Sequence, residues 1–156
     1  MRLQNIRFPE PDICREEELY FHRNGEWIDF NGYFNLFYIE KRKKYTNQET
    51  LTLHLEVGDC QAVRLMHDET MIREIELSGQ PEPLTLEFPY QEIDKGVFWF
   101  SVKPGISSKS DVLQLSGWYE GKCQEEKPVR IAAVVCTFKR EPYVLRNLKS
   151  VLRFLE

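Results

Sequence analysis

The segment Leu51-Thr52-Leu53-His54-Leu55-Glu56-Val57 alternates apolar and polar residues without a break. Successive side chains of a strand point to opposite faces, so this stretch can bury one face and wet the other, which no helix of the same sequence would do. The same period of two returns along most of the chain. Gly58-Asp59 turns it into 60–67, a predicted hairpin, and Asp68-Glu69 turns it again into 70–77. After the loop Ser78-Gly79-Gln80-Pro81, residues 84–88 alternate once more. Residues 97–102 are apolar on both faces except at Ser101, which fits a central strand. Residues 112–119 close the series, with Gly117 marking a bulge or a close backbone approach. Residues 33–40 read as a further strand with two apolar faces, Asn35 lying on one of them. The first thirty residues are less regular: Phe8-Pro9-Glu10-Pro11 favours an extended entry, 19–21 a short strand, and Asn24-Gly25 a turn before Trp27. Short strands between turn signals, with no helical period before Glu141, predict an all-β fold over 1–120: an antiparallel, jelly-roll-like β-sandwich.

The pattern then changes. Ile131-Ala132-Ala133-Val134-Val135 is an unbroken apolar run, suited to a strand buried on both faces in a parallel sheet. A polar loop follows, Pro142 is placed to open a helix, and Val144, Leu145, Leu148, Val151, Leu152 and Leu155 share one helical face. Gly121 to Pro128, charged and without period, reads as a linker. The expected organisation is therefore a sandwich at 1–120, a linker at 121–128, and at 129–156 one strand and one helix opening a truncated α/β domain. A parallel strand needs a neighbour beyond its crossover helix, so a longer parent protein is expected. The apolar helix face is expected to dock on the sandwich or on a second copy, giving a homo-oligomer.

Residues 131–141, Ile-Ala-Ala-Val-Val-Cys-Thr-Phe-Lys-Arg-Glu, resemble the first strand and loop of family 2 glycosyltransferases. Gly32-Tyr33-Phe34-Asn35-Leu36-Phe37, Gly96-Val97-Phe98-Trp99-Phe100 and Ser116-Gly117-Trp118-Tyr119 occur in the same order and similar spacing in galactofuranosyltransferases that polymerise cell-wall galactan. Those enzymes carry a β-sandwich ahead of a nucleotide-sugar-binding catalytic domain. The resemblance implies a parent enzyme that moves a sugar from a nucleotide diphosphate donor to a growing, lipid-linked glycan with the help of Mn or Mg. It also implies that Thr137 hydrogen-bonds the nucleoside, that Arg140 holds the base or diphosphate, and that Cys136 and Phe138 line the same pocket. The alternative for Thr137 and Arg140 is a helix cap beside a solvated cation. Cys136 and Glu141 stand where the galactan polymerases often have Pro, so the donor sugar stays open. The sequence has no Asp-x-Asp metal motif and no paired carboxylates placed for acid–base work. The fragment itself is expected to be inactive and to hold no metal.

Composition narrows the partners. The net charge of -4 argues against nucleic acid, and no apolar run approaches the ~20 residues of a membrane span. Met1 to Asn5 lacks a signal-peptide core, so a cytoplasmic address is expected, with the inner membrane face as the place of work for a lipid-linked acceptor. Cys14, Cys60, Cys123 and Cys136 are scattered and read as reduced thiols. Lys41-Arg42-Lys43-Lys44 has two readings: contact with a lipid diphosphate acceptor or an anionic membrane, or a solvated hairpin end guarding a sheet edge. Trp27, Trp99, Trp118 and Tyr119 raise the question of sugar stacking. Trp99, inside an apolar strand, is expected in the core; Trp118 and Tyr119 face opposite ways, which leaves room for one of the two to be exposed to glycan. Core or interdomain packing is the favoured reading of Trp118. Besides the enzyme reading, a stand-alone carbohydrate-binding module and a structural interaction domain stay open.

Overall fold

The computed structural model describes residues 1–12, 14–105, 115–123 and 141–152. The chain divides into two compact units, Met1–Glu126 and Lys127–Glu156. The first is an all-β sandwich of two antiparallel sheets. Strands β1 (Arg2–Asn5), β10 (Leu115–Glu120), β5 (Leu51–Val57) and β8 (Glu82–Phe88) form a four-stranded sheet in that order. Strands β2 (His22–Asn24), β3 (Trp27–Asp29), β9 (Val97–Pro104), β6 (Cys60–His67) and β7 (Thr70–Glu76) form the other, with the short β4 (Phe37–Tyr38) also paired to β9.

The alternation in β5 translates directly into layers. Leu51, Leu53, Leu55 and Val57 are buried, while Thr52, His54 and Glu56 face outward. Their partners on the inner face include Leu86, Phe88 and Tyr119. These meet Phe98, Phe100, Val63 and Leu65 of the second sheet in one continuous core. Phe88 and Phe98 lie 4.6 Å apart between the layers, a contact of the kind that holds two sheets face to face. Strand β9 is central, between β3 and β6, and residues 98–102 are all buried.

Several local expectations change. Strands β5 and β6 do not form a hairpin: they lie in different sheets, and Gly58-Asp59 carries the chain across the sandwich. That arch is tied to the end of β9 by the Gly105 amide donating to the Asp59 carbonyl at 2.8 Å. The β6–β7 turn is a true hairpin, with Asp68 at φ 49, as is β2–β3, where Gly25 takes φ 60. Residues 19–21 are not a strand: Glu17–Leu19 is a single 3-10 turn, and Tyr20 and Phe21 drop into the core behind it.

Residues 33–40 are not a strand either. The chain turns at 32–36, pairs briefly as β4, and enters helix α1 (Ile39–Tyr45), a helical turn that alternation alone does not announce. Asn35 is the reason. It is fully buried, its Nδ2 donates to the carbonyls of Arg7 (2.9 Å) and Tyr20 (2.8 Å), and its Oδ1 accepts the Arg7 amide at 2.8 Å. One side chain thus supplies the hydrogen bonds that a neighbouring strand would otherwise provide. Gly32 has no room for a side chain, since a Cβ would sit 2.4 Å from the backbone of Leu19 and Tyr20. Gly117 is a close approach rather than a bulge: a Cβ would meet the His54 carbonyl oxygen at 2.5 Å, while the β10–β5 register runs unbroken.

In the second unit, helix α2 spans Glu141–Leu152. Val144 and Leu148 are partly buried, and Leu145 is exposed. The predicted strand at 131–135 and most of the linker lie outside the described residues. No described helix is long and apolar enough to cross a membrane.

Candidate functional site

The outward face of the four-stranded sheet gathers the most chemistry. Its pairing places Trp118 opposite His54, and His54 opposite Thr85. The indole of Trp118 and the imidazole of His54 are stacked, 4.9 Å apart and 15° from parallel. Their ring nitrogens converge on one carboxylate oxygen: Glu120 Oε2 is 3.5 Å from Trp118 Nε1 and 3.5 Å from His54 Nε2. The other imidazole nitrogen, Nδ1, is 3.3 Å from Thr85 Oγ1. From the β1 side, the Arg2 guanidinium lies over the indole at 4.2 Å, a cation–π contact. Since β10 runs between β1 and β5, the indole is flanked by a cation on one side and an imidazole on the other.

Beside Trp118 is an open depression of about 400 Å³ whose lining includes Arg2, Asn5, Phe8, Ser116 and Trp118. An indole plate beside hydroxyl, amide and carboxylate groups matches the two-sided chemistry of a sugar. Its C–H face lies on an aromatic ring, and its hydroxyls exchange hydrogen bonds with the polar rim. Arg2 is exposed, stands on an edge strand, and has no ion pair among the described residues. It therefore covers the indole without a carboxylate to hold it in place.

Tyr119 is not part of this surface. It points inward, is fully buried, and its hydroxyl donates to the Asn35 carbonyl at 3.5 Å; burial pushes its phenol well above the ordinary range. The expected contact of Tyr119 with glycan is thus replaced by a core role, and the outward member of the pair is Trp118, half-buried under Arg2 and against His54.

The charge run Lys41, Arg42, Lys43 and Lys44 is a helix and not the end of a hairpin. Lys43 turns back onto the fold, 2.7 Å from Asp94 Oδ1 and 5.1 Å from the Tyr90 ring centre. That hydrogen bond and charge hold the Asp94 carboxyl below its usual range. Lys41 and Lys44 are exposed, and Arg42 lies over Phe37 at 5.3 Å.

A second polar cluster on the outer face of the six-stranded sheet carries no motif that would single it out in the sequence. The Arg64 guanidinium covers Trp27 at 3.6 Å and pairs with Glu74 at 2.6 Å. The buried carboxylate Asp29 accepts from Ser101 Oγ at 2.6 Å and from Asn24 Nδ2 at 3.2 Å. Lys103 pairs with Glu26 at 2.7 Å. Trp99 lies on this outer side too: its partner Met66 alternates with the core pair Leu65–Phe100. It is buried as expected but stands outside the central core, with Nε1 donating to the Asp68 carbonyl at 2.7 Å. The one sequence hint was Ser101, a hydroxyl in an otherwise apolar central strand.

Cys136, Thr137, Phe138 and Arg140 lie outside the described residues. Cys14, Cys60 and Cys123 are free thiols; burial, with the Asp59 carboxylate nearby, pushes Cys60 up to about 11. Among the described residues no three His, Cys, Asp or Glu side chains gather as metal ligands. No protein-family model matches the chain, and no curated protein matches it.

Proposed function

We propose that this chain is the accessory β-sandwich and the opening of the catalytic domain of a family 2 glycosyltransferase similar to the galactofuranosyltransferases. In this reading the Trp118 face holds the glycan being extended, and Thr137, Arg140, Cys136 and Phe138 bind the nucleotide diphosphate sugar donor. The parent enzyme transfers the sugar with a divalent ion, Mn or Mg, and works on a lipid-linked acceptor at the cytoplasmic face of the membrane. The residues present serve binding and orientation, which place two reactants for a reaction carried out elsewhere in the parent.

The observation that carries the glycan part is Trp118 with its rim: an indole plate, a depression alongside it, and Glu120, Ser116 and Asn5 within its reach. The division of the chain after the sandwich, with the glycosyltransferase-like motif and α2 in the second unit, supports the family part. A glycan array probed with the whole chain tests the reading. Retention on galactofuranose-containing oligosaccharides, lost in Trp118→Ala, is expected; no retention on any glycan, or equal retention by the variant, contradicts it.

One observation favours a structural interaction domain instead. In the unliganded sandwich Arg2 and His54 flank the indole, as they would in a face built for packing alone. That reading predicts no glycan binding by the parent chain or by Arg2→Ala.

A further inference from the structure

Helix α1 presents a surface unlike the rest of this acidic chain. Ile39 anchors it in the core, and Lys43 faces Tyr90 and Asp94. At about 3.6 residues per turn, positions 41 and 45 recur along one side, away from the buried Ile39, and Tyr38, the last residue of β4, adjoins Lys41. That side carries Tyr38, Lys41 and Tyr45, with Lys44 beside them. Lys41 Nζ sits 5.1 Å from the Tyr38 ring centre and Lys44 Nζ 5.2 Å from that of Tyr45. Tyr33 extends the patch, its ring 6.5 Å from Tyr38. Tyr33 and Tyr45 are 66% and 74% exposed. Lys41, Arg42 and Lys44 have no carboxylate within ion-pair distance among the described residues. Glu40 is the only acid on the helix.

We propose that this face is a docking surface for an anionic lipid bilayer. Tyrosine suits the headgroup layer, where its ring meets apolar carbon and its hydroxyl meets water. The neighbouring cations attract lipid phosphates only at close range, since fields are screened beyond about 8 Å in physiological salt. In a chain of net charge -4, three cations without an ion pair gathered on one seven-residue helix fit a contact of small extent. An extended polyanion would run onto the acidic remainder. This proposal stands apart from the glycan reading, because it uses different residues on a different element.

The test is cosedimentation of the whole chain with two sets of vesicles: phosphatidylcholine alone, and an equal mixture of phosphatidylcholine and phosphatidylglycerol. Binding to the mixed vesicles only, weakened by added salt, is expected. Each cation removed should lower partitioning about fivefold, so Lys41→Gln with Lys44→Gln lowers it on the order of 20-fold or more. Tyr33→Ser with Tyr45→Ser should weaken the binding that persists in high salt, and Lys43→Gln should change little. These side chains are exposed, so an unchanged circular dichroism spectrum verifies each variant's fold, and salt dependence of the parent gives a readout free of substitutions. Absence of vesicle binding, equal binding to neutral vesicles, or unaltered binding by the lysine pair would overturn the proposal. Retention on heparin without vesicle binding would overturn it as well.

Discussion

Two tryptophans on opposite outer faces of the sandwich each carry an arginine, yet the two stacks are built differently. Arg64 reaches Trp27 from the interior strand β6 and is fixed by Glu74 at 2.6 Å. Arg2 reaches Trp118 from the edge strand β1 and has no ion pair among the described residues. Around Trp27 the polar groups are matched to each other: Asp29 to Ser101 and Asn24, Lys103 to Glu26. Around Trp118 the carboxylate of Glu120 is shared at 3.5 Å between two ring nitrogens, geometry too long to use its full acceptor capacity. The same pair of residue types is a staple where the arginine is held by a carboxylate, and an untethered lid where it is not.

The largest effect should come from the locked face. Asp29→Ala leaves the Ser101 hydroxyl buried without its partner and should cost about 2–3 kcal/mol in chemical denaturation. Arg64→Ala removes a cation–π contact and a half-exposed ion pair, and should cost about 1–2 kcal/mol. Arg2→Ala should stay within about 0.5 kcal/mol of the parent. If Arg2→Ala destabilises as much as Arg64→Ala, the distinction between staple and lid fails. The smallest effect belongs to Glu26, whose carboxyl the Lys103 hydrogen bond and charge hold below its ordinary 4.5. A depressed carboxyl stabilises the fold above that value and loses the contribution as pH falls through the depressed one. Glu26→Gln should therefore be slightly less stable than the parent at neutral pH and indistinguishable from it in strong acid, as followed by thermal melts against pH.

Much of this contrast was hidden from the sequence for a physical reason. Period-two alternation says which face of a strand is buried, and it placed Leu51, Leu53 and Leu55 inside and His54 outside. It says nothing about which strand lies alongside, so the Gly58-Asp59 arch between sheets looks like a hairpin turn. Trp27, Arg64, Asp29 and Ser101 come from separate strands and meet only through the register of β3, β9 and β6. Asn35 misled for a related reason: a polar residue among aromatics reads as a flaw in a strand until its three backbone partners, far away in sequence, are seen. Tyr119 and Trp118 were separable in principle, since adjacent strand residues must face opposite ways, but only the pairing of Tyr119 with Leu53 decides which one is inside.

In the proposed function Trp118, and not Trp27, is the glycan-facing plate. Recording the indole N–H resonances of the whole chain during titration with galactofuranose oligosaccharides tests it most directly, with Trp118→Ala and Trp27→Ala used for assignment. The account predicts that the Trp118 signal moves as Arg2 and Glu120 give way to sugar, while the Trp27 signal stays in place. Movement confined to Trp27, or no movement at either indole, would contradict it.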